Sequence, residues 1–286
     1  MLLRVLLLLL VASLLGCNNK GAPMRTEFRK AIFLHHSTGA NIYGLNGSSV
    51  TVPLCIKKFN DEHGFSSNKQ VRMDQIGWPT AEMGWNNEWY RWKSILDGND
   101  KIKRYGLRKL IAPYINVSAE WNKILKNYPI VVIKSCFPSS AIVNEGSDKD
   151  LSNLSIKSIY NYKHIWRNIM RKFAMHPDNF FVIWTNAPLV KASTTPEQAL
   201  LSDAFCKWAK DTLATGLDQE FGPFPENVYV FDFFHYLTSG GTLKEDFATS
   251  QSDSHPNNTA TEYVAPILVK EIFDAALNYE TKHSKQ

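Results

Sequence analysis

Two residues near opposite ends of the chain have the types that nucleophilic catalysis needs. Ser37 follows a short apolar run and two histidines, and Gly39 lies just beyond it. His255 lies in the segment Asp253-Ser254-His255-Pro256, where a carboxylate accompanies it. A serine hydroxyl becomes a nucleophile when an imidazole takes its proton and a carboxylate orients that imidazole. These residues predict Ser37 as nucleophile, His255 as base and Asp253 as acid.

Two alternatives stay open at this stage. Taken alone, the Ser37 segment favours a helix or turn cap, because serine and threonine side chains commonly accept hydrogen bonds from the first turn of a helix. The late His255 reverses that preference. Asp232, directly after the run Val228–Phe231, is an alternative acid, although an aspartate at a strand end more often caps a loop or a helix.

The elements that would position these residues alternate between strand and helix along the chain. Glycine gives tight turns at the strand ends, and ligands bind at the carboxyl ends of strands in open α/β sheets. The predicted strands are the run that ends at His35-His36, Val71–Ile76, Ile130–Ile133, Phe180–Trp184 and Val228–Phe231. The predicted helices lie around Pro53–Glu62 and Ser118–Lys126, along the apolar stripe from Ile159 to Phe173, after a Thr195 capping box, and around Ala260–Asn278.

This alternation predicts an α/β fold: a three-layer, flavodoxin-like α/β/α sandwich with a mostly parallel sheet of about five strands. Asn41–Ser49, residues 97–117 and the segment from Gly240 to Asn257 are expected to be loops or irregular insertions. Trp85, Trp89 and Trp92 share one helical face, which favours a core role over a sugar-stacking platform.

Composition narrows the class of protein. A hydrophobic fraction of 44%, with 12% aromatic residues, is ample for one large core, and we expect one domain over residues 26–280. The net charge of +5 is too weak and scattered for a nucleic-acid partner. Cys55, Cys136 and Cys206 show no metal-ligand spacing, so neither a metal site nor a cofactor is expected. We also expect a monomer.

The first residues have the pattern of an export signal. Arg4 precedes the apolar segment Leu6–Leu15, which is too short to span a bilayer comfortably. Leu14-Leu15-Gly16-Cys17 resembles the lipobox of bacterial lipoproteins. The resemblance implies a signal peptide over 1–16, acyl chains on Cys17, a polar tether over 17–25 and attachment to the cell envelope by the lipid anchor alone. The alternative is an ordinary secretory signal with an incidental cysteine. Residues 281–286 are expected to form a tail.

A serine after the first strand paired with a histidine before the last helix resembles the SGNH (GDSL-like) hydrolase family. The block His35-His36-Ser37-Thr38-Gly39 looks most like the divergent branch that has this sequence in place of Gly-Asp-Ser, and the order of elements matches over residues 26–280. The resemblance implies catalytic roles for Ser37 and His255. The family's acid usually lies three residues before the histidine, where this chain has Ser252, so Asp253 is the candidate.

The resemblance also implies an oxyanion hole, whose donors stabilise the negative charge that develops on the substrate oxygen. Two of its expected donors are the backbone N–H groups of Thr38 and Gly77. The third donor in the family is an asparagine after the third strand, and this chain has Lys134-Ser135-Cys136 there. Ser135, Lys134 or a backbone amide is the expected substitute, with Asn186 a weaker one.

The sequence therefore predicts a lipid-anchored esterase that removes acyl groups, such as acetyl, from a glycan or another small ester. A non-catalytic glycan-binding lipoprotein on the same scaffold is the alternative, motivated by the missing asparagine and the shifted aspartate. A metal phosphodiesterase that uses His35 and His36 is a third interpretation, but no further ligands are identified, and packing explains at least one of the two. Cys136 as nucleophile has no supporting signature.

Overall fold

The computed structural model describes residues 25–78, 88–99, 101–103 and 114–283. Its centre is an all-parallel sheet in the order β2-β1-β3-β4-β5. The five strands are β1 (Lys30–His35), β2 (Arg72–Gly77), β3 (Ile130–Ile133), β4 (Phe180–Trp184) and β5 (Val228–Phe231). The predicted α/β sandwich with a parallel sheet of about five strands is confirmed.

Helices connect these strands and flank the sheet. They are α1 (Thr38–Tyr43), α2 (Val52–Glu62), α3 (Trp89–Leu96), α4 (Val117–Asn127), α5 (Ile159–Ala174), α6 (Pro196–Lys207), α7 (Phe233–Leu237) and α8 (Asn258–His283). A π-helical turn, Trp208–Leu213, extends α6. Shorter 3₁₀ turns cover Phe137–Ser140, Asp148–Ser152, Lys191–Ser193 and Glu245–Phe247. None of the helices in the described ranges is both long and apolar enough to cross a bilayer.

Alternation along the strands gives the sheet two apolar faces. In β1, Ala31 and Phe33 pack on the side of α1, α2 and α8, whereas Ile32 and Leu34 pack on the side of α3 to α6. Every residue of β3 is buried, as expected for a β-branched run that is covered on both faces. All carboxyl ends therefore meet at one edge, which is where the predicted site residues lie.

The tryptophans of α3 belong to the core. Trp89 and Trp92 are fully buried, and the ring of Trp89 meets that of Trp166 edge-on at 5.0 Å. The indole N–H of Trp92 donates to the carbonyl of Lys134 at 2.9 Å, which ties α3 to the end of β3. The core interpretation of this stripe is correct for these two residues, and Trp85 lies outside the described residues.

Three segments that we expected to be irregular contain regular structure. The predicted loop over Asn41–Ser49 begins later, because α1 continues to Tyr43 and ends at Gly44, whose φ of 95° is left-handed. Residues 101–103 pair with residues 114–116. Between β5 and α8 lie α7 and two antiparallel pairs: Thr238–Ser239 with Thr242–Leu243, and Ala248–Ser250 with Asp253–Pro256. We call the second pair and its turn, residues 248–256, the late hairpin.

Candidate active site

Ser37 occupies a sharp turn between β1 and α1. Its φ of 45° and ψ of −102° make it the only non-glycine residue with a positive φ in the part of the chain that the structure describes. Such a conformation costs a residue with a Cβ about 1–3 kcal/mol and is typical of functional positions. The Ser37 side chain makes no capping hydrogen bond to α1, so the cap interpretation of this residue is wrong.

Gly39 allows this turn to pack closely against the sheet. A Cβ on Gly39 would lie 2.4 Å from Cβ of His35 and 2.9 Å from Cε of Lys134. The Gly39 N–H donates to the His36 carbonyl at 2.9 Å, and the Ser37 carbonyl accepts from Ala40 N–H at 2.8 Å. Because close packing and backbone hydrogen bonds fix this turn, the Ser37 side chain has a defined position at the carboxyl edge of the sheet.

The structure brings Ser37, His255 and Asp253 together. Ser37 Oγ forms a hydrogen bond with His255 Nε2, and His255 Nδ1 lies 2.5 Å from Asp253 Oδ1. An ionised carboxylate only accepts hydrogen bonds, so Nδ1 carries the proton, and Nε2 accepts from the serine hydroxyl. This is the arrangement in which an imidazole takes the proton of an attacking serine.

The two-residue spacing of Asp253 and His255 suits this geometry. Asp253 Oδ1 accepts hydrogen bonds from both the backbone N–H of His255, at 3.0 Å, and its ring Nδ1–H. Burial disfavours the charged form of the carboxyl group, but the hydrogen bonds from His255 outweigh that effect and lower the pKa of Asp253. The carboxylate therefore remains ionised through the neutral range and can stabilise a positively charged imidazole.

Two asparagines that the sequence analysis did not single out fix the late hairpin. Asn257 Nδ2 donates to the carbonyls of Asp246 and Ala248, both at 2.9 Å, and its Oδ1 accepts from the N–H of Ala260 in α8. Asn41 Nδ2 in α1 donates to the Pro256 carbonyl at 2.8 Å. The only sequence signal for these roles is the asparagine just before a helix, a common N-cap.

The candidate base and acid are accessible from solvent. The side chains of His255 and Asp253 are 32% and 42% exposed, so a substrate can reach the imidazole. On one side of that imidazole lies Phe137, whose ring meets it edge-on with the centroids 5.0 Å apart. Phe137 belongs to the loop after β3 and is a further site residue that the sequence analysis did not single out.

Two predicted oxyanion donors lie at the same edge. Thr38 is the first residue of α1, so its backbone N–H has no partner within the helix. Gly77 ends β2 and is in register with His35 on the neighbouring strand. Its position also lies close to the ring of His36. Thr38 directly follows Ser37, and Gly77 ends the strand next to β1, so both residues lie at the edge of the sheet that carries Ser37.

Two of the predicted side-chain donors are placed elsewhere. Asn186 is fully buried; its Oδ1 accepts from Trp89 Nε1 at 2.7 Å, and its Nδ2 contacts Ser139 and Ser202. Lys134 is also fully buried, and its Nζ contacts the Ser135 carbonyl at 3.2 Å. The predictions that Asn186 and Lys134 donate directly to the oxyanion are therefore wrong, because the polar groups of both side chains contact neighbours within the fold.

The loop after β3 contains two hydroxyls, those of Ser135 and Ser139, that have no hydrogen-bond partner among the described residues. Ser135 is buried, and its Oγ has no hydrogen-bond partner among the described residues. The Nζ of Lys134 lies 3.1 Å from Sγ of Cys136, and burial lowers the pKa of that lysine. Cys136 is itself only 3% exposed. Of the side chains predicted as the third donor, Ser135 is the one whose polar atom has no partner among the described residues.

Asp232 belongs to a different cluster. Its carboxylate oxygens both lie 2.8 Å from His235 Nδ1, and His235 Nε2 lies 3.1 Å from Asp203 Oδ1. The hydrogen bond with Asp232 raises the pKa of His235 against the opposing effect of burial. Asp232 is therefore paired with His235, and the alternative in which it serves as the acid for His255 is wrong.

His35 is a packing residue, as expected for at least one of the two histidines. It is 3% exposed, and its Nε2 lies 2.8 Å from Gln75 Oε1 on the adjacent strand. Burial lowers its pKa to about 4, although the Gln75 contact opposes this, so the ring is neutral at neutral pH. In the described part of the chain, no group of three or more His, Cys, Asp or Glu side chains is placed to hold a metal ion.

Comparisons with protein-family models, with curated proteins and with solved structures find no match to this chain. The chemistry of the site must therefore be inferred from its geometry.

We predict that the turn at Ser37 is strained by its Cβ. Ser37→Gly and Ser37→Ala both remove the hydroxyl, but only glycine adopts this backbone conformation at little cost. The glycine variant should therefore have a free energy of unfolding about 1 kcal/mol higher than the alanine variant, despite the greater flexibility of glycine in the unfolded chain. Urea denaturation measures the difference. Equal midpoints, or a more stable alanine variant, would contradict the strain.

We predict a pH-dependent contribution to stability from His235. Because its pKa is raised on folding, protonation stabilises the folded chain fully below the unfolded pKa of about 6.5, and this contribution is lost as pH rises through the folded value. Near pH 5.5, His235→Gln should therefore lower the free energy of unfolding by about 1 kcal/mol more than it does near pH 9. Urea denaturation at both pH values tests this. A pH-independent difference would show that the charged form does not contribute.

Proposed function

We propose that this protein is a serine esterase of the SGNH type that removes acyl groups through an acyl-Ser37 intermediate. The observation that carries the proposal is the continuous hydrogen-bonded chain from Ser37 Oγ through the imidazole of His255 to the carboxylate of Asp253. The strained backbone of Ser37 supports it, because strain without a structural benefit is typical of catalytic positions.

In the proposed acylation step, Ser37 Oγ attacks the ester carbonyl carbon while His255 Nε2 takes the hydroxyl proton. The carbonyl oxygen becomes an oxyanion, and the imidazolium is stabilised by Asp253. When the carbon–oxygen bond to the alcohol breaks, His255 returns the proton to the departing oxygen. The products are a free alcohol and an ester between the acyl group and Ser37.

Deacylation would repeat this chemistry with water. His255 Nε2 accepts a proton from a water molecule, whose oxygen attacks the acyl carbon. When the bond between that carbon and Ser37 Oγ breaks, His255 returns the proton to Oγ and the carboxylic acid is released. In both steps the backbone N–H groups of Thr38 and Gly77 are the proposed donors to the oxyanion. Removing one such donor typically costs about 3–4 kcal/mol of transition-state stabilisation. The Ser135 hydroxyl is the proposed third donor.

Location is the second part of the proposal. We infer that the chain is cut before Cys17 and anchored to the cell envelope, at the outer membrane or on the periplasmic face, by acyl chains on that cysteine. The Leu14-Leu15-Gly16-Cys17 sequence supports this. The substrate class that fits an exported esterase is a glycan ester or another small ester, with acetyl as the simplest acyl group.

A non-catalytic glycan-binding lipoprotein is the second candidate. The observation that favours it is the commitment of Lys134 and Asn186 to internal contacts, which leaves the oxyanion hole without the amide side chain that the family uses. If this candidate is correct, the protein binds a glycan but does not cleave an ester.

Turnover of p-nitrophenyl acetate by purified variants distinguishes the two candidates. Ser37→Ala should abolish measurable turnover, and Asp253→Asn should lower kcat by a factor of about 10³, because the imidazole loses its orienting carboxylate. Asp232→Asn is the matched control: its carboxylate serves His235, so kcat should be unchanged. Full activity in Ser37→Ala, or an equal loss in both aspartate variants, would refute the assignment.

Lipid attachment is tested in a bacterial host that is supplied with an alkyne-tagged fatty acid. The full-length chain should incorporate the tag and sediment with the membranes. Cys17→Ser removes the thiol that carries the acyl chain, so incorporation should fall to background, whereas Cys55→Ser should leave it unchanged. Equal labelling of wild type and Cys17→Ser would contradict the anchor.

A further inference from the structure

A cavity of ≈ 590 Å³ opens beside the His255–Asp253 pair. The other described residues that line it are asparagines and threonines: Asn41, Asn46, Thr249, Asn257, Asn258 and Thr259. Among the described lining residues, the imidazole of His255 is the only aromatic ring, and there is no lysine, arginine or purely aliphatic side chain. The lining is therefore made of neutral groups that can donate or accept hydrogen bonds, next to one carboxylate.

The lining residues divide into those that build the cavity and those that are open to a ligand. Asn41 and Asn257 use their amide groups to hold the late hairpin, and Thr249 Oγ1 donates to the His255 carbonyl at 2.9 Å. Asn46 and Asn258 are exposed, and so is their neighbour Thr259; within the described residues their side chains have no hydrogen-bond partner. Their donors and acceptors are therefore available to a bound molecule.

The position of the cavity relates it to one part of the substrate. In the proposed reaction, His255 returns its proton to the departing alcohol, so that alcohol must lie against the imidazole. Phe137 covers one side of the imidazole, and the cavity lies where the ring, Asp253 and α1 meet. The proposed oxyanion donors belong instead to Thr38 and Gly77. The cavity is therefore placed to receive the alcohol side of the ester.

The chemistry of the lining selects among alcohols. An alkyl or aryl alcohol would displace water from these amide and hydroxyl groups without replacing the lost hydrogen bonds. An anionic alcohol, such as a phosphorylated one, would meet the carboxylate of Asp253, and no lysine or arginine lies among the described lining residues to offset the repulsion. A neutral polyhydroxylated alcohol matches the lining, because each sugar hydroxyl can both donate to and accept from an amide or hydroxyl group.

We infer that this cavity is the subsite for the alcohol part of the substrate, that it takes a neutral sugar, and that Asn46 and Asn258 determine this specificity by hydrogen bonding to sugar hydroxyls. The inference rests on the proposed esterase function and deepens it. It assigns the sugar to the leaving-group side of Ser37 and gives each of the two asparagines a positioning role for the substrate.

The test compares two acetate esters that differ in the alcohol: a mono-O-acetylated methyl glucoside and p-nitrophenyl acetate. The double variant Asn46→Ala/Asn258→Ala should lower kcat/KM for the sugar ester by a factor of about 10, chiefly through KM, because it removes two hydrogen-bonding groups. Turnover of the aryl ester should be unchanged. Asn278→Ala, an exposed asparagine near the other end of α8, is the matched control and should affect neither ester.

The outcomes separate the inference from the function on which it rests. A wild-type enzyme that cleaves the aryl ester but not the sugar ester overturns the sugar subsite and leaves the esterase proposal standing. Equal losses for the two esters in the double variant, or no loss for either, also overturn the subsite. No turnover of either ester by the wild type overturns the esterase function and the subsite together.

Discussion

The parallel register of the five strands is the constraint on which the site depends. Because every strand points the same way, the loops that follow β1, β2, β3 and β5 all emerge at one edge. Ser37 follows β1 and Gly77 ends the neighbouring strand β2 there, and Lys134 from the loop after β3 packs against Gly39. The parallel sheet alone therefore brings together these residues, which are far apart in the sequence.

His255 is the exception, since it reaches this edge from an antiparallel hairpin outside the sheet. Its position is set by polar contacts: Asn257 fastens the hairpin to α8, Asn41 fastens it to α1, and Ser254 Oγ accepts from the N–H of Val190. Such buried and half-buried hydrogen bonds rigidify a site because leaving any one unpaired is costly. These contacts hold Ser37 and the imidazole of His255 together, although the two residues are 218 positions apart in the sequence.

Much of the fold could be predicted from the sequence because local signals agreed with the tertiary environment. β3 to β5 are continuous apolar runs, and the Thr195–Gln198 capping box marks the start of α6. The short α1 and the late hairpin were not predictable, because neither has a strong local pattern and both are stabilised by contacts with distant segments.

Within the site, residue types identified Ser37, His255 and Asp253. Side-chain direction could not be read in this way: Asn186 follows β4 at the correct edge, yet its amide points to Trp89 in the core.

The central claim is that Ser37 is a nucleophile activated by His255, and covalent labelling tests it most directly. The wild-type protein should react with a fluorophosphonate to give a single adduct, located on the Ser37 peptide by mass spectrometry, and His255→Ala should abolish the reaction. No adduct on the folded protein, or an adduct on a peptide that lacks Ser37, would contradict the account.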